Sequence, residues 1–331
     1  QKLTFNTSIS ANLKTNNMMA GGNTKGGATG SITRSAIDSA PFEMPPDDPT
    51  LAQNDELRTT ALAWLTDYAD LADEKSIRAS ADLTWNFAKG FSYVMRTGGN
   101  ILMQDRTKWY DEGIWLGLNN NGYLGNSNLN SNNYTFENLV NYNGDLGKIG
   151  KISATAGVTY DDYNWLNRNI LASNFDFKGL GTKGLHMATN QTIASPSQSD
   201  YQLLSYLGRV NLSFLESKYL VTLTARADGS SKFIPENRWS LFPSAAVAWR
   251  INQEEFLNDA TWVKDLKLRV GYGKTGSQSI NPYNTIYNYT QTREYTDANG
   301  GLNKAITVSN LSNSDLIWET TSAYNAGLDF N

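Results

Sequence analysis

The chain contains no cysteine and a single histidine among 331 residues. The first absence excludes disulfides, thiolate metal sites and a cysteine nucleophile. The second leaves any metal site without a second imidazole. His186 lies in a Gly-rich stretch and reads as a solvated loop histidine rather than a catalytic one. Charged residues are scarce at 18%, and the formal net charge of −4 offers no basic surface for nucleic acid. Proline occurs eight times, and PFEMPPDDPT at 41–50 holds four of these, so that stretch reads as loop or extended chain. No run approaches the roughly 18–20 apolar residues of a membrane helix, and mean hydropathy is −0.47. That excludes helical spans only, because barrel strands alternate and never build a long apolar run. QKLTFNTSIS at the start has neither a charged n-region nor an apolar h-region, so no signal peptide is read there. The chain reads as an internal piece of a longer protein.

Aromatic residues are abundant: 9 Trp, 17 Tyr and 12 Phe. Together with many Asn, Ser, Thr and Gly, they suit strands joined by polar loops. Tyr219, Val221, Leu223 and Ala225 alternate with Leu220, Thr222, Thr224 and Arg226. Leu266, Leu268, Val270 and Tyr272 oppose Lys267, Arg269, Gly271 and Gly273. Such alternation is a sheet with one apolar and one polar face. The same pattern appears from Leu3 to Leu13, from Ile77 to Phe87, over 134–142, over 150–160 and through SYLGRVNLSF.

One helical pattern is expected over 54–75, where Leu57, Ala61, Trp64, Leu65, Tyr68 and Leu71 recur at three and four. A short helix is expected over 33–40. Residues 119–133, about half of them Asn, are expected to be a solvated loop. Long polar connections are expected over 161–200 and 277–314, and tight turns at Lys89–Gly90, Asn143–Gly144 and Glu216–Ser217. Short and very long connections together are the asymmetry of a membrane barrel.

Several motifs dissolve on inspection. Gly271-Tyr-Gly273-Lys-Thr-Gly276 follows a strand, yet the Ser-Gln-Ser-Ile-Asn-Pro after it cannot open the helix that a dinucleotide site requires. A phosphate loop would need glycine where Leu268 stands. The acidic pairs Asp47–Asp48, Asp161–Asp162 and Glu254–Glu255 are adjacent residues in loops, without the separation that two-carboxylate hydrolysis needs. No cofactor, metal or catalytic residue is read from the chain.

Five runs carry a resemblance: LLSYLGRVNLSF (203–214), KYLVTLTARADGSSKF (218–233), NRWSLFPSAAVAWRI (237–251), LKLRVGYGKTGSQSINPY (266–283) and SDLIWETTSAYNAGLDF (314–330). In their order and content, the chain resembles the SusC/RagA-type TonB-linked outer-membrane proteins of Bacteroidetes. The match is tighter over 203–330 than over 1–200. The resemblance implies an all-β fold, a transmembrane antiparallel β-barrel of about 22 strands, of which residues 1–331 supply ten to fourteen. It implies a plug domain and a TonB-contacting segment outside this chain, and the cell outer membrane as location. It implies nutrient import, of oligosaccharide first and peptide second, with a SusD-like surface lipoprotein, TonB and membrane lipid as partners. DGSSKFIPEN and GSQSINPY would lie extracellularly, and NQEEFLNDATWVKD would be a periplasmic connection.

On that footing Arg226, Arg250, Lys267 and Arg269 are expected to face the lumen. Tyr163, Trp165, Tyr283 and Tyr287 are expected in extracellular loops, suited to sugar stacking or a lid. Other readings remain open at this stage: a scaffolding outer-membrane barrel, or a soluble β-rich carbohydrate-binding protein.

Overall fold

The computed structural model describes residues 2–18, 36, 59–194, 196–257, 263–298 and 300–331. Its strands are β1 (Leu3–Asn17), β2 (Tyr68–Ala88), β3 (Phe91–Tyr110), β4 (Tyr123–Asp145), β5 (Gly150–Phe175), β6 (Ala188–Ile193), β7 (Ser197–Phe214), β8 (Tyr219–Ser230), β9 (Trp239–Arg250), β10 (Leu266–Ser277), β11 (Asn288–Thr296), β12 (Leu302–Asn310) and β13 (Glu319–Phe330). The short helices α1 (Ala61–Thr66) and α2 (Trp115–Asn119) interrupt them. The main sheet runs β1-β2-β3-β4-β5-β7-β8-β9-β10-β13, with β6 added on β5 and β11–β12 a separate hairpin. Each of these pairings is antiparallel.

Register converts the alternation into two continuous surfaces. Leu212 pairs with Val221, Val221 with Val247, Val247 with Val270, and Val270 with Ala326. The same face carries Leu83 opposite both Phe5 and Met95. No second layer covers it among the described residues: Ile9 is 77% exposed and Val270 53%. Burying such a band from water is worth about 25 cal/mol per Å², and lipid is the solvent that accomplishes it.

Rings mark its two borders. Tyr219 stacks on Trp249 at 6.5 Å near one border, and Tyr206 on Trp239 at 5.7 Å near the other. From Tyr219 to Ala227, which faces Tyr206, the strand rises roughly 27 Å. A tilt of about 40° brings that to roughly 20 Å, close to the apolar height of an outer-membrane barrel.

The two ends of the sheet differ. At one end Lys89–Gly90, 146–149 and 215–218 join neighbours tightly, with 251–265 the longest connection there. Gly90 at φ 77° and Leu215, Glu216 and Ser217 at φ 48–71° make these reversals. At the other end β1 finishes at Asn17 and β2 begins at Tyr68, and the connections 111–122, 176–196, 231–238 and 278–318 lie there among the described residues.

Several expectations are corrected. The helix over 54–75 contracts to α1, with Thr60 capping Ala63 N, and β2 starts at Tyr68. Pairing with β1 and β3 decides there, and the 3–4 periodicity of the side chains gives way to it. Residues 54–58 lie outside the described residues, as does the 33–40 helix apart from Ala36. The Asn-rich stretch is no loop. From Tyr123 it forms β4, paired residue by residue with β3 and β5. Its amides satisfy each other's neighbours: Asn126 Nδ2 donates to Asp105 Oδ1 (2.9 Å) and Thr107 Oγ1 (3.0 Å). Asn143–Gly144 lies within β4, and the turn follows at 146–149, where Gly147 takes φ 67°. The polar 161–200 gap closes, because β5 continues to Phe175 and β7 begins at Ser197. The 277–314 connection contains the β11–β12 hairpin.

The lipid assignment is testable in the full-length protein. Leu223→Arg, on the apolar face, is expected to cost roughly 2–4 kcal/mol, and Thr224→Arg about 1 kcal/mol or less. Urea titration after refolding into vesicles measures both, and equal costs would refute the assignment of faces.

Candidate functional site

The polar face and the long-connection end carry the chemistry. β2 to β5 stand taller than the apolar band, and two clusters brace the extension. On the apolar side Trp109, Leu124, Ala172 and Phe175 are buried beneath Ala188 of β6, with Trp109 edge-on to Phe175 at 4.9 Å. On the polar side α1 brings Trp64 against Tyr68 and Tyr110, at 5.3 and 6.4 Å, above buried Ile114. Below them the Arg106 guanidinium grips Asp70, donating from Nε to Oδ1 at 2.7 Å and from Nη2 to Oδ2 at 2.6 Å. Tyr68 Oη adds a third bond to Asp70 at 3.0 Å.

The four expected cations share the polar face. Arg226 bonds Asp228 Oδ1 at 2.6 Å and Ser205 Oγ at 2.9 Å. It stands toward the long connections. Arg250 pairs opposite Lys267, and Lys267 opposite Asp329. Arg269 Nη2 reaches Asp329 Oδ1 at 2.7 Å. These three stand toward the short turns. There Arg250 Nε, Asn252 Oδ1 and Gln253 Oε1 are buried without a hydrogen-bond partner among the described residues.

The expected loop aromatics separate into two groups. Tyr163 and Trp165 are strand residues of β5, on the polar face, opposite Tyr201 and Ser199 of β7. Their Asp- and Asn-rich neighbours hid the strand. Tyr283 and Tyr287 do lie in the 278–318 connection. Tyr283 Oη bonds Asp200. His186 is exposed in the 176–196 connection, as expected. Gly271–Gly276 lies in β10 with no helix after it. Gly276 instead leaves room for a ring, since a Cβ there would stand 2.1 Å from Phe242 Cζ.

Sequence reasoning missed the rim core. Phe233, Phe242 and Trp318 are buried together, with Ile280 and Leu316 against them. Trp318 Nε1 donates to Arg238 O at 2.9 Å, and Lys232 Nζ reaches Gln278 O at 3.4 Å. Lys232 also sits 4.3 Å from the Tyr201 ring centre, and burial lowers its pKa. These contacts tie the 278–318 connection to the β8–β9 connection. Trp318 precedes β13, where a strand-end ring suits the membrane border, yet the structure buries it in this cluster instead.

This geometry is an antiparallel wall with one lipid-facing and one polar side, long connections at a single end, and aromatic rows at both borders. The family model described as TonB dependent receptor-like, beta-barrel matches residues 10–331. The chain belongs to that family. It is 31% identical over 220 residues to TonB-dependent receptor P26 of Formosa agariphila, covering 65% of this chain and 21% of that protein. It is 44% identical over 130 residues to TonB-dependent receptor SusC of Bacteroides thetaiotaomicron, covering 39% of this chain and 13% of that one. Among solved structures, the RagAB peptide transporter superposes with a TM-score of 0.70 at 21% identity, over 82% of this chain and 29% of that chain. At that identity the likeness shows the fold. The chain spans about a fifth of P26 and an eighth of SusC. The fold is thus a transmembrane β-barrel in part, unclosed within these residues.

Two measurements test the braces. Asp70 is nearly sealed from solvent, so Arg106→Leu is expected to cost about 3 kcal/mol by stranding its carboxylate, and Asp70→Leu/Arg106→Leu much less. Equal losses in urea titrations of the two variants would contradict a stranded charge. At the short-turn end, Glu254 accepts from Tyr219 Oη (2.6 Å), Trp249 Nε1 (2.9 Å) and Lys218 Nζ (3.2 Å). These bonds hold its pKa below the usual value, the Tyr219 hydroxyl contributing most. The stabilisation is therefore present above the ordinary carboxylate range and is lost as pH falls through the lowered folded value. The gap in unfolding midpoint between wild type and Glu254→Gln is expected to be widest at neutral pH and to close in strong acid. A pH-independent gap would contradict the sign.

Proposed function

We propose that this chain is part of the wall of an outer-membrane importer energised through TonB, working without covalent chemistry. Family membership supports this reading, and the observation that carries it is the two-faced sheet: apolar and uncovered outside, polar and charged inside. The long-connection end is then extracellular and the short-turn end periplasmic. Arg226, Arg250, Lys267 and Arg269 line the lumen. The unpartnered groups of Arg250, Asn252 and Gln253 face the space that a plug domain fills. A SusD-like surface lipoprotein captures cargo and closes over the mouth. TonB, driven by the inner-membrane proton gradient, rearranges the plug and opens a path. Cargo is oligosaccharide first, peptide second. SusC and the RagAB peptide transporter stand among the similar proteins, and the pairing with a lipoprotein follows the resemblance to the SusC/RagA type.

A Tyr283/Tyr287 pair on the extracellular connection suits contact with cargo or lid. The apolar band argues against a soluble carbohydrate-binding protein, because more than half of Ile9 and Val270 would face water.

The test is deletion of the full-length gene in its host. Uptake of the cargo is expected to fall to background, to return on complementation, and to vanish when TonB is removed. A surface lipoprotein is expected to copurify with the tagged protein. Uptake unaffected by loss of TonB would sink the importer reading and leave a scaffolding barrel.

A further inference from the structure

The apolar face is not flat along β10. A groove of about 490 Å³ opens there, lined by Ala245 and Val247 of β9, Val270 and Tyr272 of β10, and Tyr324 and Ala326 of β13, among others. The alanines open it: Ala245 stands beside Tyr272, and Ala326 beside Val270. Tyr272 and Tyr324 wall it toward the long-connection end, with ring centres 4.9 Å apart and tilted by 40°. β10 is paired on both edges, so the groove lies within the wall and not at an open end of the sheet.

Beyond the rings stands a charge. Lys274 follows Tyr272 by two residues, so it shares the apolar face, opposite Ser322 of β13. It is the one Lys or Arg that β7, β8, β9, β10 and β13 turn to that face. Register places Arg209, Arg226, Arg250, Lys267 and Arg269 on the other. Lys274 is half-buried, and its ammonium has no ion pair among the described residues. It stands eight residues above Leu266, just as Tyr206 of the aromatic border stands eight above Phe214. A lysine on a lipid face costs little at that level, because its stem lies on apolar surface while the ammonium reaches the headgroups.

We infer that the groove and Lys274 form one binding site for a phosphorylated glycolipid of the outer leaflet, the lipid A of lipopolysaccharide. The inference rests on the reading of the long-connection end as extracellular. An acyl chain lying in the groove touches Ala245, Val247, Val270 and Ala326 at once, where a flat stretch of wall offers fewer atoms. The lipid passes Tyr272 and Tyr324, and its phosphate meets the Lys274 ammonium, with the Ser322 hydroxyl beside it as a second donor. A lysine without a carboxylate partner at this level favours an anionic headgroup over a zwitterionic one. The leaflet then decides the source. Glycerophospholipid phosphates lie at the opposite border, the one marked by Tyr219 and Trp249.

The experiment uses the full-length protein, delipidated in detergent, with native mass spectrometry as the readout. The probes are lipid A bearing its phosphates, the same lipid A after phosphatase treatment, and phosphatidylglycerol. Lys274→Met, Lys274→Arg and Ala245→Leu/Ala326→Leu are compared with Ile101→Ala, which alters the apolar face on β3. Heat-modifiable gel mobility reports folding of each. Phosphorylated lipid A is expected to bind wild type about fivefold more tightly than the dephosphorylated form, the scale of one cation at a membrane surface. Lys274→Met is expected to erase that ratio and Lys274→Arg to keep it, a rescue that a merely structural stem does not produce. The leucine pair is expected to weaken both forms alike, and Ile101→Ala to bind as wild type. Equal binding of the two forms by wild type overturns the Lys274 contact. Binding of phosphatidylglycerol alone, dependent on Lys274, puts this border in the periplasmic leaflet and overturns the lipid A assignment. A dimer that the leucine pair dissociates puts a second copy in the groove and overturns the lipid. Binding of none of the probes overturns the site, while TonB-dependent uptake reports separately on import.

Discussion

A sheet that meets lipid on one face can leave no backbone donor or acceptor unpaired within that layer. The rest of the structure follows from this constraint. It forces pairing to run without a break from Tyr123↔Ser173 to Asp145↔Lys151, and across every neighbour from β1 to β13. Continuous pairing in turn fixes the face of every side chain, because a slip of one residue exchanges the two faces. Arg226 reaches Ser205 and Asp228 rather than lipid for that reason alone. The single irregularity in the β2–β3 ladder, between Trp85 and Ala88, sits beside a turn.

Beyond the apolar band the constraint changes. Water can now satisfy a strand's edge, and apolar surface must be covered by protein. The tall strands β2 to β5 meet that demand with one aromatic cluster on each side, one roofed by β6 and the other by α1. The Asp70–Arg106 grip lies where the wall passes from one regime to the other. The shorter β8, β9 and β10 need no such bracing. Their rim is closed by Phe242 of β9 together with Phe233 and Trp318 from the connections.

The wall strands β7, β8 and β10 were legible in the sequence, because they alternate and lipid rewards that alternation, whereas the β11–β12 hairpin read as a polar connection. The two-faced architecture, the tight turns at Lys89–Gly90 and Glu216–Ser217 and the asymmetry of the connections were legible too. What was hidden lies above the band. There β4 and β5 meet water or polar neighbours along much of both faces below the Leu124–Phe175 cluster, so Asn126, Asn128, Asp161 and Asp162 carry no apolar period, and composition reads as loop. Strand identity in that zone comes from templating by neighbours, which no local window contains. The helical spacing around Trp64 was real over one turn and yielded to pairing from Tyr68 onward. The pairing of Tyr163 with Tyr201 was invisible for the same reason, since it depends on two residues 38 positions apart becoming direct neighbours.

The strands differ in height: 26 residues in β5, 18 in β7, and 12 each in β8, β9, β10 and β13. Their short-turn ends are level, so the difference accumulates at the mouth. Over this arc the rim is a slope that descends from a tall parapet to a low sill. The 231–238 and 278–318 connections stand on the sill, so along this arc the rim is finished by strands beside the parapet and by connections beside the sill.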